Sequence, residues 1–142
     1  MKENNASPPL IALLFEKQRL LDHKLLDRLE MAGWKHLTRA QSLVFGQLSE
    51  DCNSTSQIAE RLGLSRQAVH RTVLELVDGG YLDVQDDPVD GRSKVISLTA
   101  KGKHIQKDAR RIFDELEQSL LNQLGATKLA AFRNMLREEW AL

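Results

Sequence analysis

The sequence has one cysteine, Cys52, and no long apolar run. A single cysteine excludes an internal disulfide and a zinc site built from cysteine pairs. With no apolar run and no signal sequence, we expect a cytoplasmic protein without a membrane partner. Lys plus Arg and Asp plus Glu number 20 each, so the net charge of zero argues against a purely nonspecific nucleic-acid binder.

The motifs of common catalytic sites are also missing. The four histidines, at 23, 36, 70 and 104, are far apart along the chain. No glycine-rich phosphate loop and no nucleophile motif is present. We therefore expect no enzyme, no catalytic residue, no metal and no cofactor.

The composition fits one compact domain. The chain has 142 residues, of which 42% are hydrophobic, and this is enough to form a core. It contains no internal repeat, and only the polar start, Met1 to Pro9, is predicted to be loose.

The stretch from Leu64 to Asp78 predicts an amphipathic helix. Ser65 can cap the free N–H groups of its first turn. An apolar stripe recurs at helical spacing, formed by Val69, Val73, Leu76 and Val77. The other faces carry cationic and amide side chains, which suit the base edges of a DNA major groove.

A hairpin follows this helix and another helix precedes it. Tyr81–Val84 and Val95–Leu98 are β-prone runs joined by the turn-rich residues 86–92. The preceding helix begins at Ser54 with Gln57, a capping box, and ends at Gly63. The order helix, turn, helix, hairpin predicts a winged helix-turn-helix, whose second helix enters the major groove while the hairpin, or wing, lies beside it.

The run from Leu37 to Gly102 resembles the MarR family of bacterial transcription regulators. The matching motifs are Leu37-Thr38 with Gln41, the Leu62-Gly63-Leu64-Ser65 turn, Gly80-Tyr81-Leu82, Asp90-Gly91-Arg92, and Leu98-Thr99 with Gly102. The resemblance implies a symmetric dimer on palindromic DNA, usually a repressor released by a small ligand. It also implies that Arg92 reaches a minor groove and that Asp90 holds Arg92 in place.

Helices at both ends carry more apolar surface than a small winged domain needs. One is predicted from Leu10 to Met31, one from Ala100 to Leu124 with a Thr99 cap, and one capped by Thr127. We interpret residues 1–36 and 100–142 as dimerisation helices and residues 37–99 as the winged helix-turn-helix. The alternative is that these helices fold back on their own monomer. The predicted fold class is mainly α with a small β-hairpin.

Two groups of residues are candidates for binding DNA. Those on the helix are Ser65, Arg66, Gln67, His70 and Arg71, unless that face is merely solvated. Those on the wing are Arg92 and Lys94, unless Arg92 only forms a salt bridge with Asp90. Asp83, Asp86 and Asp87 would repel phosphates unless they point away, and nothing in the sequence explains them.

Three residues near the junction of the terminal helices and the winged region are candidates for a small aromatic or phenolic effector. They are His23, Trp34 and His36, and only their position supports this interpretation. The alternative for Trp34 is a place in the core. Cys52 lies in a loop, where an inert surface thiol is favoured over a redox switch.

Two functions remain open. The favoured one is a homodimeric DNA-binding transcription regulator, a repressor on a palindromic operator. The other is a winged-helix module that binds an acidic protein partner through the cationic helix and does not read DNA sequence.

Overall fold

The computed structural model describes residues 7–142, so the first six residues of the predicted loose start lie outside the described part. Within that range the chain forms six helices and one antiparallel hairpin, which confirms the mainly helical class. In chain order they are α1 (Leu10–Met31), α2 (Arg39–Gln47), α3 (Thr55–Leu62), α4 (Arg66–Asp78), β1 (Leu82–Asp86), β2 (Lys94–Leu98), α5 (Ala100–Leu124) and α6 (Ala126–Arg137).

Polar caps define the starts of the central helices. Thr38 and Ser54 each form a complete capping box at the start of α2 and α3, with Gln41 and Gln57. The Thr99 hydroxyl accepts a hydrogen bond from the third residue of α5. These starts lie where the sequence predicts them, because a cap depends only on residues within one helical turn.

The predicted start of α6 is wrong. Gly125, with φ 83°, is the residue before this helix, and Thr127 lies inside its first turn without capping it. A single residue connects α5 to α6, so no space remains for a threonine outside the helix. The helix also ends at Arg137, before Trp140, whose indole N–H donates to the Met135 carbonyl.

One core joins the winged region to the long helices. α1 packs along α5, α2 and α3 pack on α4, and the hairpin packs against α4 and the start of α5. The fully buried side chains are Val44, Cys52, Ile58, Val69, Val73, Leu76 and Ile112. The helix α4 and the hairpin therefore share one core with α5.

The outer helices are much less covered in a single chain. α6 packs on α5, yet none of its residues is buried. Much of the apolar surface of α1 and of the C-terminal segment is exposed, including Leu10, Ile11, Phe15, Phe132, Met135, Leu136 and Trp140. Among the helices of residues 7–142, none is both long and apolar enough to cross a membrane.

Candidate nucleic-acid interface

The start of α4 presents free backbone donors. The Ser65 hydroxyl accepts a hydrogen bond from the N–H of Ala68 at 3.1 Å, as its predicted role as a cap requires. The N–H groups of Arg66 and Gln67 precede the first intrahelical donor and point out of the helix end. Such an end, with its positive partial charge, favours a phosphate.

One face of α4 is buried and the opposite face is exposed, as the sequence predicts. Val69, Val73 and Leu76 are each 1% exposed and attach the helix to the core. The opposite face is exposed and carries Arg66, Gln67, His70 and Arg71. Among the ion pairs of residues 7–142, none involves either of these arginines. Both guanidinium groups are therefore available to an anion.

The wing is a regular hairpin held on both sides. β1 and β2 pair from Leu82 opposite Leu98 to Asp86 opposite Lys94, so both strands extend slightly further toward the tip than the sequence predicts. On the other side of β2, the N–H of Ile96 donates to the Asn53 carbonyl at 2.8 Å. Residues 87–93 therefore project as a tip from a fixed base.

At the tip, Asp90 supports Arg92 through the backbone. One Asp90 carboxylate oxygen accepts the N–H of Arg92 and the other accepts the Ser93 hydroxyl, each at 3.1 Å. The Arg92 side chain is exposed, and it forms no ion pair with any residue that the structure describes. A salt bridge between Asp90 and the Arg92 guanidinium, the alternative considered above, is therefore not what the structure contains.

The other wing acids have roles inside the hairpin. Asp86 forms an ion pair with Lys94, its direct partner across the strands. Asp87 accepts the N–H of Val89 at 2.9 Å and so shapes the turn, and Asp83 accepts from the Gln85 amide. These contacts explain acids for which the sequence alone offered no reason. They also pair Lys94 with Asp86, so a phosphate would compete with this carboxylate for the ammonium.

The structure does not bring the three predicted effector residues together. His23 is exposed and faces Asp27 on the same helix at 3.3 Å, and His36 is exposed in the loop after α1. Trp34 is half-buried, and its indole N–H donates to Asp108 of α5 at 2.7 Å. Trp34 thus attaches the α1–α2 connection to α5, which is the core role considered as its alternative.

A cavity of about 210 Å³ lies instead between α1, α2 and α5. None of His23, Trp34 and His36 lines it. Its wall is mostly apolar and includes four polar side chains. The apolar lining includes Leu25, Leu29, Leu37, Phe45, Ile105 and Phe113, and the polar residues are Gln41, Ser42, Gln106 and Arg110.

Sequence analysis missed this cavity because it is a gap between three helices. The sequence predicts which residues face inward on each helix, but not how closely the helices approach one another. The small residues Ser42, Gly46 and Ala109, which line the gap, are the one signal the sequence holds.

Cys52 is not a surface thiol, contrary to the prediction. Its side chain is 0% exposed, and its backbone exchanges two hydrogen bonds with Ser49. The short bridge turns the loop between α2 and α3 inward, so this side chain packs in the core as a small apolar group.

Comparisons with known proteins agree with this geometry. A sequence model of the MarR family matches residues 37–93, the span from the start of α2 to the wing tip. TcaR, an HTH-type transcriptional regulator of Staphylococcus aureus, is 32% identical over 98 residues, which cover 68% of this chain and 65% of TcaR. An uncharacterized HTH-type regulator of Mycobacterium leprae is 29% identical over 86 residues, covering 61% of this chain and 60% of that protein. The matches thus span 60–65% of the length of these relatives.

Solved structures share the fold over nearly the whole chain. Apo MarR from E. coli superposes with a TM-score of 0.72 at 23% identity, covering 94% of this chain and 97% of the other. S. aureus MepR in its DNA complex superposes with a TM-score of 0.73 at 24% identity, covering 92% and 95%. The chain thus matches the MarR family in sequence across α2, α3, α4 and the wing, and it has the fold of these regulators over nearly its whole length.

Proposed function

We propose that the protein is a DNA-binding transcription regulator that acts in the cytoplasm as a homodimeric repressor on a palindromic operator. The observation that carries this proposal is the exposed face of α4, on which two unpaired arginines lie beside the capped start of the helix. The side chain of Arg92 is likewise free at the wing tip. An α-helix with such groups fits a major groove, and an unpaired arginine suits a narrow minor groove.

Each residue of the interface has a proposed role. Ser65 and the free N–H groups after it bind a phosphate, which sets the register of the helix on the duplex. The guanidinium groups of Arg66 and Arg71 reach guanine edges or phosphates, and Gln67 suits an adenine edge. His70 contacts a base edge or a phosphate, Arg92 enters the minor groove, and Lys94 adds a phosphate contact in competition with Asp86.

The homodimer is supported by the uncovered apolar surface at the two ends of the chain. Several apolar side chains of α1 and of the C-terminal segment are at least 38% exposed in one protomer, and such a concentration of exposed apolar surface is unusual for a monomer. A two-fold pair would cover this surface and present α4 twice. The two half-sites are then expected about one helical turn, 10–10.5 bp, apart.

A binding experiment separates this proposal from the protein-interaction module. We expect the protein to retard DNA from upstream of its own gene in the presence of excess random competitor. Arg66→Ala combined with Arg71→Ala should weaken binding by at least about tenfold, since each arginine contact is worth roughly 1–3 kcal/mol. Lys17→Ala, which removes an exposed lysine of α1 paired with Glu16, is the matched control.

If the protein retards random DNA as strongly as upstream DNA, or retards neither, the proposal of a sequence-specific regulator is wrong. Binding of the wild-type protein to an acidic protein, lost in the double arginine variant, would then support the interaction module.

We further propose that a small aromatic acid or phenol releases the protein from DNA. The cavity between α1, α2 and α5 supports this part of the proposal. Phe45 lines the cavity, and its ring meets the ring of Tyr81 edge-on with the centroids 6.1 Å apart. Tyr81 directly follows the Gly79-Gly80 end of α4. A ligand in the cavity that displaces Phe45 would therefore shift the C-terminal end of α4.

A panel of aromatic carboxylates and phenols, added to the DNA complex, tests this release. We expect one or more to weaken DNA binding by about 5- to 150-fold, the usual range of allosteric coupling. Arg110→Gln should reduce the effect of carboxylates more than that of phenols, because Arg110 is the one cationic residue among those that line the cavity. Lys107→Gln, one turn earlier on α5 and outside the lining, is the control. If the whole panel leaves the affinity unchanged, control by a small aromatic ligand is wrong.

A further inference from the structure

The end of α4 is closed by a glycine in the left-handed region. Gly80 has φ 78°, its N–H donates to the Val77 carbonyl, and the N–H of Tyr81 donates to the Leu76 carbonyl, each at 2.9 Å. This pair of bonds is a Schellman motif, which satisfies two of the last carbonyls of the helix. The carbonyls of Gly79, Gly80 and Tyr81 themselves remain without a helical partner.

The cap residue of α5 and the second residue of that helix bind these three carbonyls. The Lys101 ammonium donates to the Gly79 carbonyl at 2.7 Å, and the Thr99 hydroxyl lies 2.6 Å from the Gly80 carbonyl and 3.0 Å from that of Tyr81. The same ammonium lies 4.4 Å from the centroid of the Tyr81 ring. A cation at a helix C-terminus and over an aromatic face is favourable on both counts.

Tyr81 fixes this contact to the rest of the core. Its side chain is 9% exposed and its ring packs against those of Trp34 and Phe45. Trp34 is bound in turn to Asp108, about two turns after Lys101 on the same helix. The C-terminal end of α4 is thus anchored to α5, while its N-terminal end faces outward.

We propose that Lys101 is a positioning residue for DNA binding, which sets the tilt of α4 without touching DNA. This inference rests on the proposed function. α4 has 13 residues, so it is about 20 Å long, and a tilt of about 5° at the anchored end moves the reading end by nearly 2 Å. Hydrogen bonds to base edges tolerate only a few tenths of an ångström.

A positioning role and a phosphate contact differ in their dependence on salt. A lysine that neutralises a phosphate contributes about one unit to the slope of log affinity against log salt, whereas a lysine that anchors a helix contributes none. The geometry points to the second case, because the Lys101 ammonium is already occupied by the Gly79 carbonyl and the Tyr81 ring.

The test compares Lys101→Met, Lys101→Arg and the control Lys103→Met, which removes an exposed lysine two residues further along α5. Affinity for upstream DNA is measured at several salt concentrations, and amide hydrogen exchange is measured over residues 76–82 without DNA. We expect Lys101→Met to bind DNA about three- to tenfold more weakly with an unchanged salt slope. Its amides over residues 76–82 should exchange faster, Lys101→Arg should recover both properties, and Lys103→Met should leave both unchanged.

Two results would overturn the inference. The first is that Lys101→Met matches Lys103→Met in affinity and in exchange. The second is that its loss of affinity comes with a salt slope reduced by about one, which would identify a phosphate contact. If the unmodified protein binds no DNA, the proposed function itself fails and the positioning role fails with it, whereas equal binding by all variants overturns only the role of Lys101.

Discussion

Arg92 is the residue whose contact with DNA can be isolated most cleanly, because Asp90 supports its backbone and leaves its side chain free. We expect Arg92→Ala to weaken operator binding by roughly 1–3 kcal/mol if the side chain reads a groove. Arg92→Lys keeps the charge but loses the planar fork, so it should retain the salt slope without recovering the affinity. Fluorescence anisotropy at several salt concentrations measures both quantities.

Identical curves for Arg92→Ala and the wild-type protein at every salt concentration would mean that the wing stays off the duplex. A lower salt slope with little change in discrimination against random DNA would instead place Arg92 on a phosphate.

Single residues were predictable where their role depends on neighbours in the sequence. Arg66, Gln67, His70 and Arg71 are exposed because helical spacing alone separates them from the apolar stripe. The wing acids were not predictable in this way. The role of Asp86 depends on the strand register that places it opposite Lys94, which the sequence does not specify.

At the scale of elements, the contact between α5 and Tyr81, the residue before β1, is unusually close. A Cβ atom on Gly102 would lie 2.1 Å from the Tyr81 carbonyl oxygen, which is backbone and cannot move alone. We expect Gly102→Ala to lower the free energy of unfolding by about 1–3 kcal/mol, as overpacking does. Urea denaturation measures the change.

Gly46→Ala is the matched control, since a Cβ there meets no atom within 4 Å and the residue lies inside a helix. It should leave the stability unchanged or raise it by up to about 1 kcal/mol. Equal stability of the two alanine variants would show that the junction of β1 and α5 relaxes easily, contrary to the structure.

The elements themselves were largely predictable, and the exceptions have local causes. Thr38, Ser54, Ser65 and Thr99 all cap the helices they were expected to cap, because each needs only its own turn. Thr127 does not, since the connection after α5 is a single glycine. The ends of the strands depend on pairing across the hairpin, so the predicted strands stop slightly short of the observed ones at the tip.

At the scale of the whole molecule, the proposed dimer depends on apolar side chains at both ends of the chain. Phe132 on α6 is 45% exposed in one protomer. We expect Phe132→Asp to weaken self-association by at least about tenfold, because buried aromatic residues dominate such interfaces. Light scattering coupled to size-exclusion chromatography, over a range of concentrations, gives the mass.

Val89→Asp is the control for this variant, since Val89 is 95% exposed at the wing tip, far from the terminal helices. It should leave the mass unchanged. A monomeric wild-type protein, or a dimer that Phe132→Asp leaves intact, would contradict the proposed dimer layer.

The molecule as a whole was predictable only in outline. An excess of apolar residues in the terminal helices indicates that they need a partner surface, but not which side chains meet. The cavity between α1, α2 and α5 depends on the distances between three helices, so no periodicity in any one of them reveals it.

None of the residues of α6 is buried in a single protomer, so the stability of this helix should depend on protein concentration. In a proposed dimer this helix would gain its packing from association, so the melting temperature should rise with protein concentration. At low copy number the C-terminal segment would fray and become a substrate for proteases. The cell would then clear the protein fastest when it is scarce, which under the proposed repressor function would make the transition between the silenced and the expressed gene sharper than binding alone.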